Sequence, residues 1–290
     1  MLAIDTPWNS KKHVSAMKSA GVVTVLRYYT IRVSTRLPEK RLGLDEAQAL
    51  VRAGFQLGVV YEFDGNHAGA FSKSAGLADG EYSRHYASKI IGQPAGSAIY
   101  FGVDFDASDD EIKNRILPYF EGIAEAMGES SDDTAYDIGV YGSWKSCERT
   151  VKAGLTKYAW LAQSTAWGGR DGYRKFAAAR KWNLKQGFAA GEIHGLDYDP
   201  NEINDDLGSI GQFVIPVSAQ GPASADRFVV SARPNLRLRS GPGLTFDVIG
   251  SVPFGTTISV MRRDGDWAFV DINGDGGIDG VVHAGFLTPA

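Results

Sequence analysis

Over roughly the first 200 residues, short runs of apolar, β-branched and aromatic side chains alternate with longer amphipathic or alanine-rich stretches. The runs at 2–5, 22–28, 56–63, 98–105, 137–141, 158–163, 183–186 and 193–197 predict strands, and the stretches at 44–53, 72–91, 109–127 and 143–153 predict helices. Continuous apolar strands separated by segments of helix length are the pattern of βαβ units around a parallel sheet buried on both faces. Eight of them predict an α/β fold whose sheet closes as a (β/α)8 TIM-like barrel, irregular at its end because the last two units are short. An open Rossmann-like sheet is the competing fold. No Gly-x-Gly-x-x-Gly follows the first strand, however, and Asp5-Thr6-Pro7-Trp8 offers no phosphate cradle.

From about Ile210 the texture changes. Small residues, Gly and Pro dominate 217–226, and shorter alternating runs broken by Gly/Pro turns follow to the end of the chain. The expected organisation is a barrel over 1–212, a linker over 213–226 and a small all-β barrel over 227–290.

Several predicted strands end in residues able to do chemistry, as in AIDTPW, VVYEFDG, YFGVDFD and GLDYD. In a (β/α) barrel these C-terminal strand ends converge on one mouth. Asp104 and Asp106 lie two apart, a spacing that puts both on one face of an extended strand. Close like charges keep one carboxyl protonated beside an ionised partner, the division of labour glycoside hydrolysis needs. Asp5 and Glu62 end strands one and three, and Asp197 and Asp199 follow the last. A single acid at a strand end is commonly a helix cap. Six around one mouth point instead to acid–base chemistry, with Asp104, Asp106, Glu62 and Asp5 as the catalytic candidates. The aromatic rings of Trp8, Tyr28, Tyr61, Tyr141 and Trp144 fall at or just after strand ends, where they can stack on sugar faces. Gln163 can bond hydroxyl or acetamido groups, Arg27 can pair with an acid, and Asp197 and Asp199 complete the substrate-binding set.

Composition narrows the partners. With 22% charged residues, net charge −4 and no basic run, nothing invites nucleic acid, and no apolar stretch nears the ~20 residues of a membrane span. The opening MLAIDTPW carries no visible signal peptide, so synthesis and folding in the cytoplasm are expected. The single Cys147 excludes an internal disulfide, five scattered histidines supply no ligand pair, and nothing suggests an organic cofactor; no metal is expected, an all-oxygen Mg²⁺ or Ca²⁺ site among the mouth acids being the alternative. Asp271, Asn273, Asp275 and Gly276 match half a calcium loop, but Val282 stands where the bidentate Glu belongs, and a Gly/Asp-rich hairpin fits better.

These residues resemble two known families. Ala3-Ile4-Asp5, Tyr61-Glu62-Phe63, Val103-Asp104-Phe105-Asp106, Gly139-Val140-Tyr141-Gly142, Trp160-Leu161-Ala162-Gln163 and Leu196-Asp197-Tyr198-Asp199 occur in the order of a glycoside-hydrolase-like family catalogued as domain of unknown function 1906. That family is related to the family 25 muramidases, which carry Asp-x-Glu where this chain has Asp104-Phe105-Asp106. The resemblance implies that Asp106, or Glu62 from the neighbouring strand, is the general acid, while Asp104 stabilises the developing cation. Asn235-Leu-Arg-Leu-Arg239-Ser-Gly-Pro-Gly243, Asp266-Trp267 and Val281-Val-His-Ala-Gly-Phe-Leu287 resemble the bacterial SH3-type domain, a module that often binds the cell wall.

The expected function is a peptidoglycan hydrolase of lysozyme type, a phage-type lysin, effector or autolysin that acts on the wall in the periplasm or outside the cell. Its partner is peptidoglycan or a related polysaccharide, with a cognate inhibitor if it serves as an effector, and it is expected to be a monomer. The alternatives are a non-catalytic wall-glycan binder and a glycosidase for another polymer such as chitin.

Overall fold

The structure, a computed structural model, describes residues 2–128, 135–216, 226–244, 246–274 and 278–290. The chain divides into two compact units, the first comprising Met1–Leu42 and Ala49–Ile215, the second Gly43–Gln48 and Pro216–Ala290. In the first, strands β1 (Leu2–Asp5), β2 (Val22–Tyr29), β3 (Gln56–Tyr61), β4 (Ala98–Val103), β5 (Asp137–Gly142), β6 (Tyr158–Leu161) and β7 (Leu184–Gln186) stand side by side, each parallel to the next. The crossovers carry α1 (Val14–Ser19), α2 (Leu44–Arg52), α3 (Lys73–His85), the short α4 (Asp109–Glu111) leading through a π-helical stretch into α5 (Leu117–Gly128), α6 (Trp144–Lys152) and α7 (Arg170–Ala178). Their starts are written in the sequence. Ser72 and Ser143 accept hydrogen bonds from the backbone N–H three residues on, and Ser108 with Glu111 forms a reciprocal capping box.

The eighth stave differs from expectation. Instead of a parallel strand over 193–197, β8 (Gly191–Ile193) and β9 (Leu196–Ile203) form a hairpin, and β9 closes the barrel antiparallel to both β7 and β1. Its two-residue turn, His194-Gly195, has both residues in the left-handed region (φ 51° and 85°), the geometry a tight hairpin requires. The expected irregularity is therefore a reversal of direction. The start of β9 lies at the mouth, with Asp199 opposite Asp5 and Asn201 opposite Ala3.

Alternation along each strand sorts the side chains into two shells. Ala3, Leu26, Val60, Ala98, Tyr100, Tyr158, Trp160 and Leu184 share one buried cluster inside the barrel, with Ile210 packed among them. Residues one step out of phase face the helices, as in the contacts of Phe101 with Phe120 and of Tyr61 with Tyr82. The α3–α5 crossing is close enough that a Cβ on Gly76 would lie 1.9 Å from the Tyr119 carbonyl oxygen.

The base of the barrel is closed by the chain after β9. Tyr100 Oη donates to the Ile210 carbonyl at 2.9 Å, Ala98 N to that of Gly211 at 2.9 Å, and Leu57 and Phe213 exchange two backbone bonds of 2.8 and 2.9 Å. Phe213 to Ile215, placed in the linker by the sequence, belong to the first unit, and 217–225 lie outside the described residues.

The residues from Asp226 on are all β, as expected. Strands β10 (Asp226–Val230), β11 (Asn235–Arg239), β12 (Val248–Pro253), β13 (Thr257–Asp264), β14 (Trp267–Asp271), β15 (Gly280–His283) and β16 (Leu287–Pro289) pair antiparallel in the order β12-β11-β15-β14-β13-β10-β16. Their inward residues, among them Val230, Leu236, Ile258, Val270 and Val282, form its core. Arg239 of the Arg-Ser-Gly-Pro motif is buried and donates to the Leu244 and Phe246 carbonyls, which fixes the loop that follows. In the β14–β15 hairpin, Asp279 accepts from Ile272 N, Asn273 N and Asn273 Nδ2, and Asp271 accepts from Gly274 N. Asp275 and Gly276 of the calcium-like motif lie outside the described residues.

Candidate active site at the barrel mouth

Two steps up from the apolar cluster, the inward positions turn polar. β1 contributes Asp5, β2 Tyr28, β5 Tyr141, β7 Gln186 and the reversed β9 both Asn201 and Asp199. Asp5 is 2% exposed. It accepts from Tyr28 Oη at 2.9 Å, Asn201 Nδ2 at 2.7 Å and Gln186 Nε2 at 3.3 Å. The orientations of both amides are dictated by their neighbours. Trp160 Nε1, which can only donate, holds Asn201 Oδ1 at 2.7 Å and so turns the amide NH2 toward Asp5. Tyr141 Oη donates to Gln186 Oε1 at 2.9 Å, which turns Gln186 Nε2 toward Asp5 and Asp199. Burial raises Asp5 to about 7, with the Asp199 charge adding to the rise and the three donors opposing it. Burial also raises Asp199.

Above this floor lie Glu62, the residue after β3, and Asp104, the residue after β4. Both line an open cleft of about 560 Å³, together with Lys40, Arg32, Phe63 and Asn66. Glu62 Oε1 accepts from Lys40 Nζ at 2.6 Å, and that ammonium stands 4.8 Å above the Tyr28 ring. Burial, then the Glu62 charge, pushes Asp104 up to about 6, with Lys40 opposing. Tyr141 sits in the field of Asp104, Asp5, Glu62 and Asp199 together, and burial with these charges keeps its phenol protonated as a donor. The mouth thus gathers four carboxyls around two phenols, two of the acids being poised between pH 6 and 7. Among the described residues, no group of three or more His, Cys, Asp or Glu is placed to hold a metal ion.

The remaining sequence candidates lie elsewhere. Asp106 does not share the face of Asp104, because β4 ends at Val103 and the chain turns. Asp106 is exposed and accepts from Gly168 N at 2.7 Å, in the loop before α7. Arg27 and Tyr61 are out of phase with the interior. Arg27 has no exposed surface and donates to the carbonyls of Thr6, Glu39 and Lys40 at 2.6, 2.7 and 3.2 Å. Tyr61 donates to Asp79 on α3, which Tyr119 also reaches, both at 2.7 Å. Neither Arg27 nor Tyr61 contacts the cleft. Asp197 is exposed on the β8–β9 hairpin, opposite Glu192. Trp144 wedges its ring against Gly168 and Gly172, under the loop that Asp106 holds. Trp8 and Gln163, both half-buried, follow β1 and β6 at the rim.

Sequence reasoning missed Lys40, Gln186 and Asn201. Gln186 ends β7 as Asp5 ends β1, so the strand-end rule would have found it. Asn201 was hidden by the unexpected direction of β9, and Lys40 by its place in a loop without regular structure.

Comparison with known proteins identifies the families of the two domains. The model of the Rv2525c-like, glycoside hydrolase-like domain matches residues 15–204, and that of the bacterial SH3 domain matches 234–288. The uncharacterised protein YbfG of Bacillus subtilis (strain 168) is 40% identical over 195 residues, which are 63% of this chain and 26% of YbfG. Rv2525c of Mycobacterium tuberculosis, whose name proposes a peptidoglycan hydrolase, is 28% identical over 57% of this chain and 66% of its own. The crystal structure of that Tat-secreted protein in complex with HEPES superposes with a TM-score of 0.59 at 23% identity, covering 73% of this chain and 98% of the other. The chain thus spans about a quarter of the first of these relatives and two thirds of the second.

Proposed function

The chain belongs to the Rv2525c-like, glycoside hydrolase-like domain family, and from that premise we propose that its barrel cleaves the glycan strands of peptidoglycan while its bacterial SH3 domain holds it on the wall. The observation that carries this reading is the pair Glu62 and Asp104 in one open cleft, with Asp104 raised to about 6. A carboxyl raised toward neutrality beside a second carboxyl is the equipment of a glycosidase. Asp104 donates its proton to the glycosidic oxygen. The Glu62 carboxylate faces the positive charge that develops at the anomeric carbon. In the floor, Asp5 accepts from Tyr28, and Gln186, which donates to Asp5 and Asp199, accepts from Tyr141, so both phenols are fixed at the mouth. This assignment moves the general acid from Asp106 to Asp104. Action on the wall requires the protein to leave the cytoplasm, as the Tat-secreted Rv2525c does; among the described residues no helix is long and apolar enough to cross a membrane.

The test is mass spectrometry of the fragments released from purified sacculi by the wild type and by Asp104→Asn. The wild type is expected to release fragments with reducing-end N-acetylmuramic acid, and the variant about 10²–10⁴-fold less. Reducing-end N-acetylglucosamine would move the cleaved bond. Release from chitin but not from sacculi would replace the substrate, and binding without any release would make the barrel a glycan-recognition domain.

A further inference from the structure

Resting on that reading, we propose that Lys40 is a positioning residue that keeps the exchangeable proton of the Glu62–Asp104 pair on Asp104. Its ammonium, with the side chain only 15% exposed, is bonded to Glu62 at 2.6 Å and covers the Tyr28 ring, whose hydroxyl donates to Asp5. Lys40 therefore touches both levels of the site. It compensates the charge of one cleft acid directly and shields the phenol that reaches the buried one.

Lys40 belongs to no helix or strand, and the chain around it is held from behind. Arg27, without exposed surface on the outer side of β2, donates to the carbonyls of Glu39 and Lys40 and to that of Thr6 just past β1. Leu42 N donates to the Tyr28 carbonyl at 2.9 Å and ties the end of the loop back to β2. A buried cation thus fixes the backbone from which a second cation reaches over the mouth. This gives Arg27 a part in the site although it cannot touch a substrate.

Two carboxyls in one cleft repel when both are ionised, and a cation bonded to one of them decides which keeps the proton. The charged groups lining the cleft are Arg32, Lys40, Glu62, Asp64 and Asp104; Tyr141 faces Asp104 from β5 and also meets the fields of Asp5 and Asp199. Of these, Lys40 is the group ion-paired to Glu62.

The experiment is a carbon-detected NMR titration of the Glu62 and Asp104 carboxyls in the full chain without substrate. It compares the wild type with Lys40→Met and Lys40→Gln, which remove the charge, and with Lys40→Arg, which keeps it. In the two neutral variants the upper midpoint of the pair is expected to rise by about one pH unit, with the proton shared between the carboxyls, and Lys40→Arg to stay near the wild type. The alkaline limb of fragment release shifts with it, whereas a merely structural role would lower the rate equally at every pH. An unmoved midpoint in a neutral variant whose circular dichroism matches the wild type overturns the proposal. Since the titration needs no substrate, it stands or falls separately from the glycosidase reading.

Discussion

The two ends of the barrel interior are built on the same strands, yet they follow opposite rules. Ala3 and Asp5, Leu26 and Tyr28, Val60 and Glu62, and Leu184 and Gln186 are neighbours two residues apart; in each pair the lower member joins the apolar cluster and the upper one the mouth. In the apolar part, Tyr100 Oη is bonded to the Ile210 carbonyl at the base, and Trp160 Nε1 to Asn201 where the cluster meets the floor of the mouth. At the mouth, Asp5 is buried and Asp104 half-buried on the open cleft, and burial raises them to about 7 and about 6. On the proposed function, stability belongs to one end and chemistry to the other, since desolvated carboxyls disfavour the fold that keeps them.

The contrast breaks if the base can be emptied without harm. Tyr100→Ala removes a buried ring packed edge-on against Trp160 and is expected to cost about 3–5 kcal/mol of unfolding free energy by chemical denaturation. A loss below about 1 kcal/mol would mean that the base is not where the barrel is held together.

Asp104→Asn should act in the opposite direction. Asp5, Asp79 and Asp104 all rise from 3.8, to about 7, 6 and 6 respectively. The folded chain therefore holds protons that the unfolded chain has released, and these groups lower stability as pH climbs from about 4 to about 7. Removing the Asp104 charge is expected to stabilise the protein at pH 8 by about 1–2 kcal/mol, after discount for its partial exposure, and to leave pH 4 nearly unchanged. Thermal melts of wild type and variant at the two pH values check it; equal differences at both would assign the effect to packing instead of charge.

The smallest effect sharpens the boundary of the mouth. Asp106 holds the loop before α7 through Gly168 N, so Asp106→Asn, which keeps an acceptor there, is expected to slow fragment release by less than about tenfold. A loss as large as that of Asp104→Asn would return Asp106 to the chemistry.

How much of this the sequence disclosed depended on whether a local rule was enough. The barrel, the second all-β unit and the acids at the ends of β1, β3 and β4 follow from apolar runs and what ends them. Arg27 and Tyr61 were misplaced although their sequence positions carried the signal. Counting in twos from Ala3, Leu26 or Val60 leaves both on the outer shell, beside Asp79 and the β2–α2 loop and not in the cleft. Asp106 leaves the face of Asp104 for another reason. The two-residue rule holds only while the strand lasts, and β4 stops at Val103. Lys40 and Asn201 depend on contacts with residues 22 and 196 positions away, Glu62 and Asp5, which no local pattern encodes.

The match to the family model ends at residue 204, but the barrel does not. The residues that follow run under the staves as a cork, with Ile210 inside the opening and Phe213 stitched to β3 through Leu57. A fragment cut at 204 would keep every mouth residue named here and leave the hydroxyl of Tyr100 and the apolar interior facing water. The unit that has to stay together for this barrel to be closed therefore runs to Ile215, past the end of the stretch by which the family is recognised.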